Sequence, residues 1–254
     1  MNAHRHRIER AFAGADGYER HARVQREVAV ALADRIAALD LPERPRVLEI
    51  GCGTGFLTRA LVERGPAGDW LVTDIAPEMV TRCRAHVGDA PGRSFAVLDG
   101  EYGIDADGGY DLVCSSLAMQ WFDDHESALA RMVAALAPGG HCLFATLGAG
   151  SFAEWRAAHD AAGVRPGTPR FAAADRLASA LPQHRVTTAI EPVIERHDSA
   201  ISFLRALRAI GAHTPADGHR PLGPSAMRHV MAAFEKGGCA VTYEVVTGHY
   251  RRSA

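Results

Sequence analysis

The 254-residue chain sets 28 Lys and Arg against 30 Asp and Glu, a formal net charge of −2, and is 47% hydrophobic. That is enough chain to bury a full core as one domain of roughly 200–250 residues, alone or with a small elaboration, and it excludes disorder, collagen and a disulfide scaffold. The near-neutral balance lacks the basic excess usual for nucleic-acid binding, so no nucleic-acid partner is expected.

Residues 1–10, MNAHRHRIER, lead into no apolar stretch of signal-peptide length, and no run long enough to span a membrane follows, so no membrane partner is expected. Cys52, Cys83, Cys114, Cys142 and Cys239 are odd in number and form no C-x-x-C pair. They read as free thiols of a cytoplasmic protein. Of the 28 basic residues only Lys236 is a lysine, which suits a GC-rich genome and says nothing about function.

In chain order, Val24, Val28, Leu32 and Ile36 recur every four positions, with Ala31 and Leu39 beside them, as on one face of a helix over about Arg20 to Leu39. Pro42 and Pro45 end it. Short apolar runs then alternate with helical stretches: RVLEI and a helix from about Thr54, WLVTD and a helix opened by Pro77, SFAVL, YDLVCS and a helix from about Asp124 to Leu136, the turn Pro138-Gly139-Gly140, and HCLFAT. β-α units in series imply a parallel sheet covered by helices on both faces.

After Gly150 the rhythm changes. A helix is expected at SFAEWRAAHDAA and another near Ala174 to Leu181, then an extended RVTTAIEPVIER, a helix from Ser199 to Ile210, a loop carrying Pro215, Pro221 and Pro224, a helix ending at Lys236, and the strand-rich VTYEVVTGHY. Two late strands flanking helices predict an antiparallel edge on the parallel sheet, with the helices between them as a cap. The division expected is an N-terminal helical lid over 1–42 and a sheet domain over 43–254 with the cap inserted at about 150–236.

The strongest motif is VLEIGCGTG, a strand running into Gly51, Gly53 and Gly55 with a helix directly after. Glycine there lets backbone approach a ligand closely. A dinucleotide turn wants G-x-G-x-x-G, but Phe56 stands where the third glycine of that fingerprint falls, so NAD is the weaker reading. With Glu49 ahead of it, the G-x-G-x-G form resembles the first motif of the class I, Rossmann-like methyltransferases that bind S-adenosylmethionine. Asp74 ends the second strand nineteen residues after Gly55, where a carboxylate can accept from both hydroxyls of an adenosine ribose; a helix cap before Pro77 is its plainer reading, and the two coexist. Asp99 and Gly100 follow the third strand, where this superfamily holds adenine. All these strand ends share the carboxyl edge, at which open α/β sheets bind ligands.

SSLAMQWFDD ends the fourth strand, with Ser115 and Ser116 toward the cofactor's methionine half and Gln120 and Trp121 toward substrate. With it, AFAGADGYERHARVQREVA, TLGAGSFAEWRAA, LRALRAIGA and TYEVVTG run in order from about Ala11 to Gly248 and resemble the malonyl-[acyl-carrier protein] O-methyltransferases of biotin synthesis. The resemblance implies a seven-stranded, mostly parallel sheet with an antiparallel edge hairpin, S-adenosylmethionine as methyl donor, and no metal. It adds Cys52, Ile75 and Met79 to the cofactor contacts. The chain departs from the family at Ser116, usually Asn, at Glu101-Tyr102-Gly103-Ile104, where a Leu-Pro pair is common, and in a shorter segment between Phe12 and Tyr18.

The implied reaction methylates the free carboxylate of a malonyl thioester on acyl carrier protein, or on coenzyme A. A carboxylate is already ionised at neutral pH, so attack on a sulfonium methyl needs alignment and removal of water, not a general base. No Ser-His-Asp order or H-E-x-x-H run is present. Tyr18, His21, Arg205 and Arg208 are the candidates to hold the substrate carboxylate, against the alternative that Tyr18 and His21 pack their helix and the arginines are solvated. Arg205, Arg208, Arg220 and Arg228 are the candidate basic patch for an acidic carrier. Two other functions stay open: a methyltransferase for another small acid, phenol or carbon acid, and a cofactor-binding protein without turnover.

Overall fold

The computed structural model describes residues 3–13, 18–64, 67–181, 184–216 and 218–253. Helices α1 (Ala3–Ala13), α2 (Tyr18–His21) and α3 (Arg23–Ala37) come first. Then follow β1 (Arg46–Ile50), α4 (Phe56–Arg64), β2 (Asp69–Asp74), α5 (Pro77–Val87), β3 (Arg93–Val97), β4 (Tyr110–Ser116), a 3₁₀ turn at Met119–Trp121, α6 (His125–Ala134) and β5 (Leu136–Leu147). The remainder is α7 (Ala153–Ala161), α8 (Ala174–Ser179), β6 (Arg185–Arg196), α9 (Ala200–Ala209), α10 (Pro224–Lys236) and β7 (Ala240–Arg251).

The strands form one seven-stranded sheet in the order β3-β2-β1-β4-β5-β7-β6. The first five are parallel, and their register sets Ile50 of β1 beside Thr73 of β2 and Ser115 of β4. The strand ends that carry Gly51, Asp74 and Ser116 are thus level at one edge. The late strands are antiparallel: Gly148 N donates to Glu244 O while Gly139 N donates to Arg252 O, and His197 N donates to Cys239 O. This is the Rossmann-like sheet with an antiparallel edge that the β-α rhythm and the resemblance predict.

The chain divides into two structural units. One takes residues 23–146, 172–190 and 246–254, so it holds β1 to β4 and nearly all of β5; its core includes Leu48, Ile50, Val113, Met119, Phe144 and Tyr250. Each such large side chain contributes about 1.5–3 kcal/mol on burial. Helix α3 belongs to this unit and packs on α4, burying Val24, Val28, Leu32 and Ile36 together with Ala29 and Ala33. Ala31, expected on that face, is exposed, because the stripe follows the i, i+4 rows on which Ala29 and Ala33 stand.

The other unit takes residues 1–22, 147–171 and 191–245. Its core is aromatic: Trp155 of α7 meets Phe203 of α9 and Phe234 of α10 edge-on, at 5.3 and 5.2 Å between ring centroids. Helix α9 begins with a reciprocal cap, Ser199 Oγ accepting from Ser202 N and Ser202 Oγ from Ser199 N. Pro224, expected in the preceding loop, is the first residue of α10, where a missing N–H and a fixed φ cost nothing. Likewise α4 starts at Phe56, later than Thr54, and Pro138-Gly139-Gly140 lies within the irregular start of β5 rather than before it.

All five cysteines are free and buried. No helix among the described residues is long and apolar enough to cross a membrane.

Glu101, in the segment where the chain departs from the family pattern, is fully buried. Its carboxylate accepts from Asp123 N at 3.0 Å and Asp124 N at 2.9 Å, and its carbonyl accepts from Arg131 at 3.0 Å. It fixes the loop that leads into α6. Glu101→Ala leaves the backbone N–H groups of Asp123 and Asp124 without their charged acceptor and is expected to cost about 1–3 kcal/mol, read as a Tm lowered by several degrees in thermal denaturation.

Candidate active site

At the end of β1 the chain turns through Gly51, Gly53 and Gly55 with φ of 71°, 55° and 93°. These are left-handed conformations that side chains resist. At Gly51 a Cβ would also lie 2.3 Å from the Cβ of Ala118, so the turn is pressed against the loop that follows β4. Three bonds close it: Cys52 N donates to Thr73 O at 2.8 Å, Gly55 N to Cys52 O at 2.9 Å, and Gly53 N to Asp74 Oδ2 at 2.9 Å.

The other oxygen of Asp74 accepts from Ala76 N at 2.9 Å. One carboxylate therefore ties the glycine turn to the β2-α5 junction, though the N-cap of α5 is Ala76. Burial raises the Asp74 carboxyl above its ordinary range, opposed by backbone hydrogen bonds from Ala76, Gly53 and Ile75. The carboxylate keeps a further lone pair for a ligand hydroxyl. Ile75 is half-buried beside it, and Met79 and Cys52 are buried.

Asp99 Oδ1 accepts from Glu101 N at 2.9 Å and Tyr102 N at 3.3 Å, which orders the loop after β3. At Gly100 a Cβ would meet Ile50 Cγ2 at 2.2 Å. Glycine is required at 100 because the end of β1 packs against it.

At the end of β4, Ser115 is fully buried with its hydroxyl unpartnered, and Ser116 is half-buried. Leu117 takes φ 51°, an uncommon conformation for a large side chain, and its N donates to Ala145 O at 2.8 Å. Gln120 is held at both ends, its Nε2 donating to Leu117 O at 2.6 Å and its Oε1 accepting from Thr146 at 3.2 Å. Trp121 is half-buried next to it in the 3₁₀ turn.

Beneath the glycine turn lies Glu49, 1% exposed, with one carboxylate oxygen lacking any hydrogen-bond partner. Burial pushes its carboxyl up to about 8, helped by the negative charge of Cys83 and Asp74 and opposed by a hydrogen bond from Thr58. An unsatisfied buried acceptor of this kind costs free energy unless a cationic or hydrogen-bonding ligand reaches it.

The four substrate candidates fall in the second unit. Tyr18 opens α2 and His21, exposed, closes it; Arg205 and Arg208 are exposed on α9, and α2 packs against α9. Arg220 and Arg228 are also exposed. Of the shortened segment between Phe12 and Tyr18, residues 14–17 lie outside the described ones. Sequence reasoning missed the anchoring role of Glu101, the strain at Leu117, and Thr58 and Thr146. Nothing in the residue types announces these, since they are defined by which distant backbone they meet.

The turn of positive-φ glycines, Asp74 at the next strand end, the orphaned oxygen of Glu49 and the orphaned hydroxyl of Ser115 fit a ligand with a ribose and an amino-acid end. Among the described residues no group of three or more His, Cys, Asp and Glu side chains is placed to hold a metal ion. Fold and site together define a class I, S-adenosylmethionine-dependent methyltransferase. Residues 47–140 match the family described as Methyltransferase domain.

Over 251 residues the chain is 44% identical to the malonyl-[acyl-carrier protein] O-methyltransferase of Magnetococcus marinus, covering 97% of this chain and 93% of that one. It belongs to the malonyl-[acyl-carrier protein] O-methyltransferase family. It is also 47% identical over 245 residues to the biotin biosynthesis bifunctional protein BioCD of Bordetella avium, covering 96% of this chain but only 52% of that longer protein. Among solved structures, an S-adenosylmethionine-dependent methyltransferase of Mesorhizobium loti shares the fold at 21% identity, with a TM-score of 0.52 over 87% of this chain and 96% of that one.

Because the folded carboxyl of Glu49 titrates near 8 rather than its ordinary 4.5, the folded chain holds that proton more tightly than the unfolded one. Its contribution to stability is complete below pH 4.5 and is lost as pH rises toward 8. Glu49→Gln removes this loss. The ligand-free variant is expected to match the parent near pH 5 and to exceed it at pH 8 by a margin on the order of a few kcal/mol, followed by thermal denaturation across pH.

Proposed function

We propose that this chain transfers a methyl group from S-adenosylmethionine to the free carboxylate of a malonyl thioester carried on acyl carrier protein, an early step of biotin synthesis. The observation that carries this reading is the near full-length relationship to the Magnetococcus marinus enzyme of that name. The chemistry supports it: this substrate brings its own ionised nucleophile, so alignment and removal of water suffice.

In this reading Gly51, Cys52, Gly53 and Gly55 cradle the donor, Asp74 and Ile75 flank its ribose, Asp99 and Gly100 its adenine, and Glu49, Ser115 and Ser116 its amino-acid end, with Met79 packed below. When bound, S-adenosylmethionine supplies a sulfonium-activated methyl carbon. Glu49 loses its proton to become the anion that balances the donor's ammonium, and the cost of burying that anion falls when the ammonium arrives. Gln120 is a positioning residue. With one amide N–H spent on Leu117 O and its oxygen on Thr146, it keeps a second N–H to orient the substrate carboxylate. Trp121 excludes water from that carboxylate, which strips the solvation that dulls a nucleophile.

Tyr18, His21, Arg205 and Arg208 hold the malonyl end through at most one bidentate contact, because a tighter clamp would quench the nucleophile. The exposed Arg205, Arg208, Arg220 and Arg228 face an acidic carrier.

The deciding experiment is mass spectrometry of malonyl carrier protein, malonyl coenzyme A and free malonate after incubation with enzyme and S-adenosylmethionine. A gain of one methyl on the carrier-bound malonyl group is expected; methylation of the free acid alone, or of none of the three, overturns the reading. Tyr18→Phe or Arg208→Ala is expected to lower turnover about tenfold or more while S-adenosylmethionine affinity stays within about twofold. Steady-state kinetics with calorimetric binding of the cofactor separates the two, and unchanged turnover removes that residue from the site.

A further inference from the structure

The unit built from residues 1–22, 147–171 and 191–245 contains a cavity of about 850 Å³ that none of the motifs anticipates. Arg156, Arg165, Arg170 and His219 line it, with Pro166, Pro169 and Phe171 among its apolar surfaces. No carboxylate lines it among the described residues.

The basic groups are not equivalent. Arg156, half-buried, is anchored from behind: it donates to Ser151 O and, at 2.9 Å, to Ala149 O. This leaves the rest of its five-donor fork to point elsewhere. Arg165 and Arg170 are exposed on the loop that follows α7. That loop is pinned by Ala216 N donating to Gly167 O at 2.9 Å, and the His219 ring sits so close that a Cβ at Gly167 would lie 3.0 Å from it. The ring and the loop are therefore held against one another.

Three guanidinium groups and an imidazole around one cavity favour an anionic ligand. A carboxylate offers two oxygens in one plane, which a single arginine fork satisfies. A phosphate offers oxygens in tetrahedral directions and accepts from several planar forks at once. The volume is within the usual range for organic ligands, and the prolines and Phe171 suit a slender apolar or amide chain beside the charge.

We propose that this cavity binds the phosphate of a phosphopantetheine arm, the group through which a thioester substrate is tethered to its carrier. This rests on the proposed malonyl-thioester reading and deepens it. Arg156 is the fixed element, and Arg165 and Arg170 close on the phosphate from the loop. The same phosphate is present in coenzyme A thioesters.

The test uses the full chain and two measurements. Isothermal titration with 4′-phosphopantetheine, pantetheine and inorganic phosphate is expected to show the first binding at least about tenfold more tightly than either of the others, and Arg165→Gln/Arg170→Gln is expected to erase that difference while Tm stays within about 2 °C. Equal affinity for the phosphorylated and unphosphorylated arms, or a preference that survives in the double variant, overturns the proposal. Inorganic phosphate binding as tightly as the whole arm also overturns it, leaving an anion hole only.

Kinetics then assigns the source. A rise in KM of about tenfold in the double variant for malonyl carrier protein alone supports the carrier's phosphodiester, and an equal rise for malonyl coenzyme A supports the phosphate common to both. Methyl transfer to malonyl thioesters with KM unchanged in the variant overturns the cavity assignment and leaves the proposed reaction standing. Arginine-dependent binding of 4′-phosphopantetheine by an enzyme that methylates no malonyl thioester does the reverse.

Discussion

The site is organised by one buried carboxylate accepting from two loops. Asp74 takes Gly53 N on one oxygen and Ala76 N on the other, so the glycine turn after β1 and the junction after β2 hold their shapes only together. Glycines make the left-handed turn possible, but possibility is not order. A flexible segment with three glycines would lose much conformational entropy on meeting a ligand. Asp74 meets that cost during folding, and the parallel register that sets Ile50 beside Thr73 brings the two loops within its reach.

Three acidic residues inside the sheet unit show how partners decide the behaviour of a buried carboxyl. Glu101 has two backbone N–H donors and an architectural task. Asp74 has backbone donors as well, yet keeps a spare lone pair at the edge of the sheet. Glu49 has an incomplete set and rises to about 8. This gradation leaves the poorly satisfied group open to a cationic partner and the well satisfied ones where the scaffold must not move. It also matches a reaction in which the enzyme orders and desolvates an ion that the substrate already carries, with no proton to accept.

Much of this was legible in the chain. The four-residue spacing of Val24, Val28, Leu32 and Ile36 defined a helix; Gly51, Gly53 and Gly55 after RVLEI marked the turn, and nineteen residues later Asp74 marked the next strand end. These are local signals, each set by backbone preferences or periodicity. Less legible were features that depend on long-range approach. Nothing local announced that a side chain at Gly100 would strike Ile50. Pro224 looked like a loop breaker and is a helix opener, since proline ends one pattern and begins another. Arg156, Arg165 and Arg170 carry no signal in the sequence and line one cavity only in the fold, because no spacing rule links a helix to the loop behind it.

A leucine at φ 51°, as Leu117 is, persists only because its amide is fixed to Ala145 O and its carbonyl to Gln120. The bend after β4 is therefore shaped before any substrate arrives, at a standing expense to the resting molecule. A glycine here would relax the backbone and discard that tension cheaply, but the same change would slacken the hold on Gln120. Robustness and sharpness of the site are opposed at this residue, and a leucine in that place favours sharpness.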